Sequence, residues 1–120
     1  MGWEIYPEGL YHFITLAHEN YTQGLPIHIT ENGMSSYDNA GPDGVMDLQR
    51  INYLNRHLEQ VRRAIAEGVP VASYFVWSLL DNFEWALGYD KRFGLVHVDF
   101  ETLVRTPKAS WAVLQEALAR

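Results

Sequence analysis

The stretch VASYFVW, Val71 to Trp77, is a nearly continuous apolar run. A strand that reads this way, without polar alternation, is one covered on both faces, as in a parallel sheet. Just before it, Gly68 and Pro70 stop a helix whose Leu48, Ile51, Leu54, Leu58, Val61 and Ile65 lie on one side. Before that helix, Pro26 to Thr30 (PIHIT) is a short strand of β-branched residues closed by Asn32-Gly33, a strong turn signal. Ser35 to Gly44, with Gly41 and Pro42, is the polar loop between them. Strand, helix and a buried parallel-type strand make an α/β pattern.

Working outward, Pro7 suits the first turn of an opening helix, with Leu10, Phe13, Ile14 and Ala17 as its stripe and Gly24 and Pro26 ending it. Downstream, Phe93 to Asp99 (FGLVHVD) reads as a short extended segment. Thr106 as cap and Pro107 at the first helical position then open a last helix that buries Trp111, Leu114 and Leu118. The chain is two strand-then-helix units preceded by a helix, without repeat or linker, so residues 1–120 read as one segment with no internal domain boundary. Two strands neither close a barrel nor cover their own edges. The expectation is a fragment that pairs with missing strands or with copies of itself.

Composition excludes several classes. The 120 residues are 48% hydrophobic and 20% charged, ordinary globular usage. No apolar stretch approaches the ~20 residues that span a bilayer, so no membrane partner is expected. The net charge of −6 and the scattered basic residues argue against nucleic acid. There is no cysteine and no secretory signal at MGWEIYPEGL, which fits a cytoplasmic protein. Aromatic residues make up 13%. Rings crowded near carboxylates suit carbohydrate, whose C–H faces pack on them, although an aromatic-rich core has the same composition.

Glu31 stands where PIHIT ends, and catalytic side chains of α/β folds collect at the C-terminal ends of strands. A carboxylate there serves as nucleophile, base, metal ligand or simply a solvated loop acid. The segment WSLLDNFEW, Trp77 to Trp85, sets Asp81 and Glu84 among large apolar residues after the next strand. That placement is costly unless it binds something. The five histidines are scattered, with no two at metal-ligand spacing near an acid, so no metal or cofactor is expected.

Several motifs together resemble glycoside hydrolase family 1. ITENG at Ile29 to Gly33 is similar to its nucleophile motif. WSLLDNFEW, then Gly88-Tyr89 and RFGLVHVD from Arg92 to Asp99, are similar to its C-terminal signature. RTPKAS (Arg105 to Ser110) and WEIYPEGL (Trp3 to Leu10) match in register. The resemblance runs essentially end to end. It implies the C-terminal quarter of a (β/α)₈ TIM barrel: helix six, then βα units seven and eight.

The resemblance also implies roles. Glu31 corresponds to the nucleophile of retaining β-glycoside hydrolysis, and Trp77 to the tryptophan packing against the sugar at the cleavage site. Glu84 matches the acid that accepts from the 4- and 6-hydroxyls, Trp85 the indole that donates to the 3-hydroxyl, and Phe93 the aromatic beside the sugar C6 group. Two carboxylate oxygens accept from two adjacent hydroxyls, and an indole N–H is a donor only. Against these stand Trp77 as a core residue and Phe93 as a cap on the barrel mouth. Trp3 and Trp111 read as packing, Arg105 and Lys108 as a turn and helix start, and His28 and His97 as hydrogen-bonded strand residues. The family's acid/base lies in an Asn-Glu-Pro motif, and none occurs in this chain. The expected partners are a β-glycoside and either the missing N-terminal barrel portion or further copies of the chain. The competing readings are a non-catalytic, self-associating α/β fragment and a carbohydrate-binding unit.

Overall fold

The computed structural model describes residues 1–119. Its helices are α1 (Pro7–Ala17), α2 (Leu48–Ala66) and α3 (Ala109–Leu118). Its strands are β1 (Ile27–Asn32), β2 (Val71–Val76), β3 (Val96–Val98) and β4 (Arg105–Pro107). The chain divides into two compact units, Gly2–Asn32 with Tyr53–Val76, and Gly33–Asn52 with Trp77–Arg120 and Met1.

In the first unit β1 and β2 pair in parallel, joined through α2 as a parallel crossover requires. Ile14, Ile29, Val61, Ala64 and Val69 form its core, with Leu10, Tyr11, Ile27, Val71 and Tyr74 packed against it. α1 opens on Pro7, whose missing N–H costs nothing at a helix start. It runs on into a π-helical turn, His18–Thr22, and stops where Gln23 and Gly24 take positive φ. Phe13 departs from the expected stripe and is 73% exposed. It sits one residue, about 100°, round the helix from buried Ile14, and Leu10 with Tyr11 fills the inward face instead.

On α2 the inward face is Leu54, His57, Val61 and Ala64, at alternating three- and four-residue steps, with Tyr53 beside them. Leu48 and Ile65 of the expected stripe are exposed. His57 replaces an apolar side chain by bonding the Tyr53 carbonyl through Nδ1 at 2.8 Å and stacking on the Tyr53 ring. β2 departs from the both-faces-covered expectation: Ala72 and Phe75 are exposed. His28 is hydrogen-bonded as expected, to Ser73 Oγ at 2.8 Å.

In the second unit the segment after Trp77 runs beside Phe93–Val96. Ser78 N–H donates to the Phe93 carbonyl at 3.2 Å, and Leu95 N–H to the Ser78 carbonyl at 2.9 Å. β3 then turns back antiparallel on β4. The last helix therefore starts later than the Thr106–Pro107 expectation. Those residues are strand, Lys108 is the N-cap, and α3 begins at Ala109. Pairing of His97 with Thr106 and of Val96 with Pro107 holds them extended. Pro at an edge strand end lacks only a donor that the ladder does not use. The helix N-terminus is satisfied from a distant segment: Asp47 Oδ1 accepts from Ser110 N–H at 2.9 Å, a carboxylate at the positive end of the helix dipole. Of the expected inward residues, Trp111 and Leu114 are half-buried and Leu118 is exposed. Trp3, expected as packing, is exposed.

Candidate active site

Glu31 lies within β1, next to its last residue, and is exposed. The strand runs past the expected Asn32-Gly33 turn because Asn32 still pairs with Val76 and its Oδ1 accepts a 2.7 Å hydrogen bond from the Tyr74 hydroxyl. Glu31 thus stands at the C-terminal end of a parallel strand, on backbone held from its neighbour.

Trp77, Glu84, Trp85 and Phe93 all fall in the second unit. Gly33 fixes the start of that unit against Trp77, since a Cβ there would stand 1.8 Å from the Trp77 carbonyl oxygen. Only glycine allows such an approach. Trp77 is partly exposed. Glu84 is half-buried, and its Oε2 accepts from Asn82 Nδ2 at 3.1 Å. Its backbone N–H donates to the Gly88 carbonyl at 2.7 Å, closing a tight loop over the 3-10 turn Trp85–Leu87. Trp85 is 86% exposed and has φ +45°. A left-handed conformation costs a side-chain-bearing residue about 1–2 kcal/mol. An aromatic held outward at that cost is the kind of outlier that gathers at binding sites. Phe93 is buried, so its ring packs within the unit.

Asp81 is not the ligand-seeking acid that its apolar surroundings suggest. Its Oδ1 accepts from Gly94 N–H at 2.9 Å and Lys108 Nζ at 2.7 Å. Its Oδ2 accepts from Arg92 Nη1 at 2.7 Å and Val98 N–H at 3.2 Å. Gly94 permits this, because a Cβ there would stand 2.3 Å from Asp81 N. The carboxylate clamps WSLLDNFEW onto the following segment.

The clamp belongs to a chain of alternating charges that sequence reasoning missed. Asp47 pairs with Arg50, Arg50 with Asp38, Asp38 with Lys108, Lys108 with Asp81 and Asp81 with Arg92. Three acids meet three cations, and five of the six side chains are almost completely buried. Burial pushes the Asp38 carboxyl up, but hydrogen bonds from Lys108 and Ser36 and the charge of Arg50 outweigh it and hold it below its ordinary value. Burial, with Arg92 nearby, pushes His97 down. The residues come from positions 38, 47, 50, 81, 92 and 108, a spacing with no periodicity to signal it.

Against this geometry stand the similarities to known proteins. The sequence model of "Glycosyl hydrolase family 1" matches residues 1–120. The chain belongs to that family. It is 53% identical over 116 residues to the "Bifunctional beta-D-glucosidase/beta-D-fucosidase" of Bifidobacterium breve, covering 92% of this chain and 25% of that protein. It is 54% identical over 112 residues to "Beta-glucosidase A" of Acetivibrio thermocellus, with the same coverage. Among solved structures, the family 1 β-glucosidase of Thermotoga maritima in complex with isofagomine lactam superposes with a TM-score of 0.95 at 49% identity. That match covers 99% of this chain and 27% of the other. A psychrophilic β-glucosidase from Micrococcus antarcticus gives the same TM-score at 50% identity.

This family 1 chain thus spans about a quarter of the length of the curated relatives it matches. Its fold is α/β, corresponding to part of their TIM barrel, as the motifs imply. No helix among the described residues is long and apolar enough to cross a membrane.

Proposed function

We propose that this chain supplies the nucleophile and the glycone-binding side chains of a retaining β-glycosidase of the β-glucosidase type. The observation that carries this reading is the place of Glu31, exposed at the C-terminal end of a parallel strand inside the ITENG motif of a family 1 chain. Glu31 attacks the anomeric carbon as the bond to the aglycone oxygen breaks, forming a glycosyl ester. A second carboxyl group protonates the departing oxygen and then activates the water that cleaves the ester. Two inversions leave the configuration retained, and the two carboxyl groups stand ~5–5.5 Å apart in such enzymes. Because this chain holds no Asn-Glu-Pro, the acid/base comes from the portion of the barrel it does not span.

The glycone is read by Glu84 for the 4- and 6-hydroxyls, Trp85 for the 3-hydroxyl, Trp77 against the ring and Phe93 toward C6. The outward Trp85 and the half-buried carboxylate of Glu84 support their own two roles, whereas the burial of Phe93 speaks for packing rather than for contact with the sugar. A single acid accepting from both hydroxyls tolerates gluco and galacto configurations alike. The B. breve relative is named for both a glucosidase and a fucosidase.

The partner of residues 1–120, acting as one segment, is the rest of a barrel. The exposed Phe13, Phe75 and Trp3 supply apolar surface for it, or for further copies of the chain when the rest is missing. The chain alone then hydrolyses β-glycosides feebly or not at all.

The test is azide rescue in the complete barrel. Glu31→Gly should abolish turnover of a nitrophenyl β-glucoside, and azide should restore it with an α-glucosyl azide as product. Azide then enters the vacated nucleophile position with a single inversion. A β-configured azide, or Glu31→Gly retaining its activity, would remove Glu31 from this role.

A further inference from the structure

We propose that Tyr74 is a positioning residue for the Glu31 carboxylate, acting through Asn32 across a bulge in β1. The proposal rests on the reading of Glu31 as nucleophile. In the parallel pair Ile29 stands opposite Tyr74, while Asn32 stands opposite Val76. Three residue steps on β1 therefore answer two on β2, and the extra residue falls in Thr30–Glu31. Bulges are rare in parallel pairs and are over-represented next to active sites, where they re-aim a side chain.

Period-two alternation explains the effect. Adding one residue turns every later side chain to the opposite face. Thr30 and Glu31 are consecutive and both exposed, where a regular strand of this unit would turn one of them inward after buried Ile29. The direction of Glu31 thus depends on the irregular step being kept.

One side-chain hydrogen bond spans that step. Tyr74 is the partner of Ile29, on the near side of the bulge, and its hydroxyl donates to Asn32 Oδ1, on the far side, at 2.7 Å. A slip of β1 by one residue breaks this bond. The Tyr74 ring packs on the core of Ile14, Ile29 and Val61, which fixes where the hydroxyl points. Burial pushes the phenol well above its ordinary value, which favours the protonated form that donates this bond. Asn32 follows Glu31 directly, so the bond restrains the backbone that carries the carboxylate.

The test uses the complete barrel carrying this segment, with Tyr74→Phe, Asn32→Ala and the double variant. Tyr74→Phe keeps the ring and removes only the donor. Covalent labelling of Glu31 by an activated 2-deoxy-2-fluoro-β-glucoside is followed by mass spectrometry, beside kcat and KM for a nitrophenyl β-glucoside. The expected result is labelling and kcat slowed by about tenfold or more, with KM changed less than about twofold, since misplacement of a reacting group acts on the chemical step. The double variant should be no slower than the worse single one, because both remove one interaction. If Tyr74→Phe does not fold, Asn32→Ala carries the same comparison. Labelling at the parent rate in either variant, or losses that multiply in the double variant, overturns the proposal while leaving Glu31 as nucleophile. A parent enzyme that takes no label on Glu31 removes both readings.

Discussion

Lys108 Nζ lies 2.7 Å from Asp81 Oδ1, and neither side chain has any exposed surface. The same ammonium lies 2.6 Å from Asp38 Oδ2, so one cation at the cap of α3 neutralises acids from two different loops. One of those loops carries Glu84 and Trp85. Removing Lys108 strands two buried carboxylates, and breaking such a pair typically costs about 3–5 kcal/mol. Lys108→Met should therefore lower unfolding stability by that order in chemical denaturation. A loss under about 1 kcal/mol would show that water reaches the cluster and that the pairing does not hold the loop.

Stability should fall on acidification in two stages. His57 and His97 are both pushed down in the folded chain, chiefly by burial. As pH drops through the ordinary histidine range, the unfolded chain takes up protons first, so their contribution is full above that range and declines below it. Asp38 is held below its ordinary value, with its Lys108 and Ser36 hydrogen bonds overcoming burial. Its contribution is full above the ordinary aspartate range and is lost as pH falls through the lower folded value. Urea midpoints measured from pH 8 to pH 3 should show both declines. Asp38→Asn should flatten the lower one and leave the upper one in place, and an unchanged lower limb would exclude Asp38 as its source.

Gly33→Ala should be among the most damaging of small substitutions. The added methyl would stand 1.8 Å from the Trp77 carbonyl oxygen, which is backbone and has no rotamer to yield. Trp77 must shift, and a displacement of about 1 Å near a reacting centre can cost roughly a hundredfold in rate. The expected outcome is a loss of that order in kcat/KM for the complete enzyme. Near-normal kinetics would mean that Trp77 does not contact the sugar.

Glu84→Ala should weaken glucosides and galactosides more than substrates lacking the 4- and 6-hydroxyls. A lost hydrogen bond to a charged group is worth about 1.5–3 kcal/mol, roughly tenfold to a hundredfold in specificity constant. Equal losses across all of these sugars would assign Glu84 to holding its own loop through Asn82 rather than to the glycone.

The 120-residue chain alone should self-associate. Among the described residues β1 and β2 form a two-stranded sheet with no further strand on either outer edge, and Phe75 lies exposed on β2. Open edges and exposed aromatics are templates for association. Light scattering should report a dimer or larger species, and a compact monomer at micromolar concentration would contradict this.

The α/β order, a strand with Glu31 at its C-terminal end region and the family were legible in the sequence alone, although the strand runs on to Asn32 rather than stopping at Thr30. Each is written in local signals: the apolar run at Val71, the Gly and Pro stops, and motifs whose residues are neighbours in the chain. Helix faces were legible only in part. Leu48, Ile65 and Phe13 are as apolar as Leu54 and Ile14, and only the packing decides which of them turn inward. The start of α3 followed tertiary context too, since pairing with β3 holds Thr106 and Pro107 as a strand rather than as the first turn of a helix.

The charged chain from Asp47 to Arg92 lay wholly beyond the sequence. An isolated aspartate or lysine reads as solvated, because burying an unpaired charge is prohibitive. Only the fold brings six such residues together, so that each charge replaces water for the next. The bulge at Thr30–Glu31 is of the same kind. Sequence determined that an acid stands near the C-terminal end of the strand. The pairing with β2, pinned by Tyr74 on Asn32, decides which way that acid faces, because strand register is a relation between two segments and is written in neither.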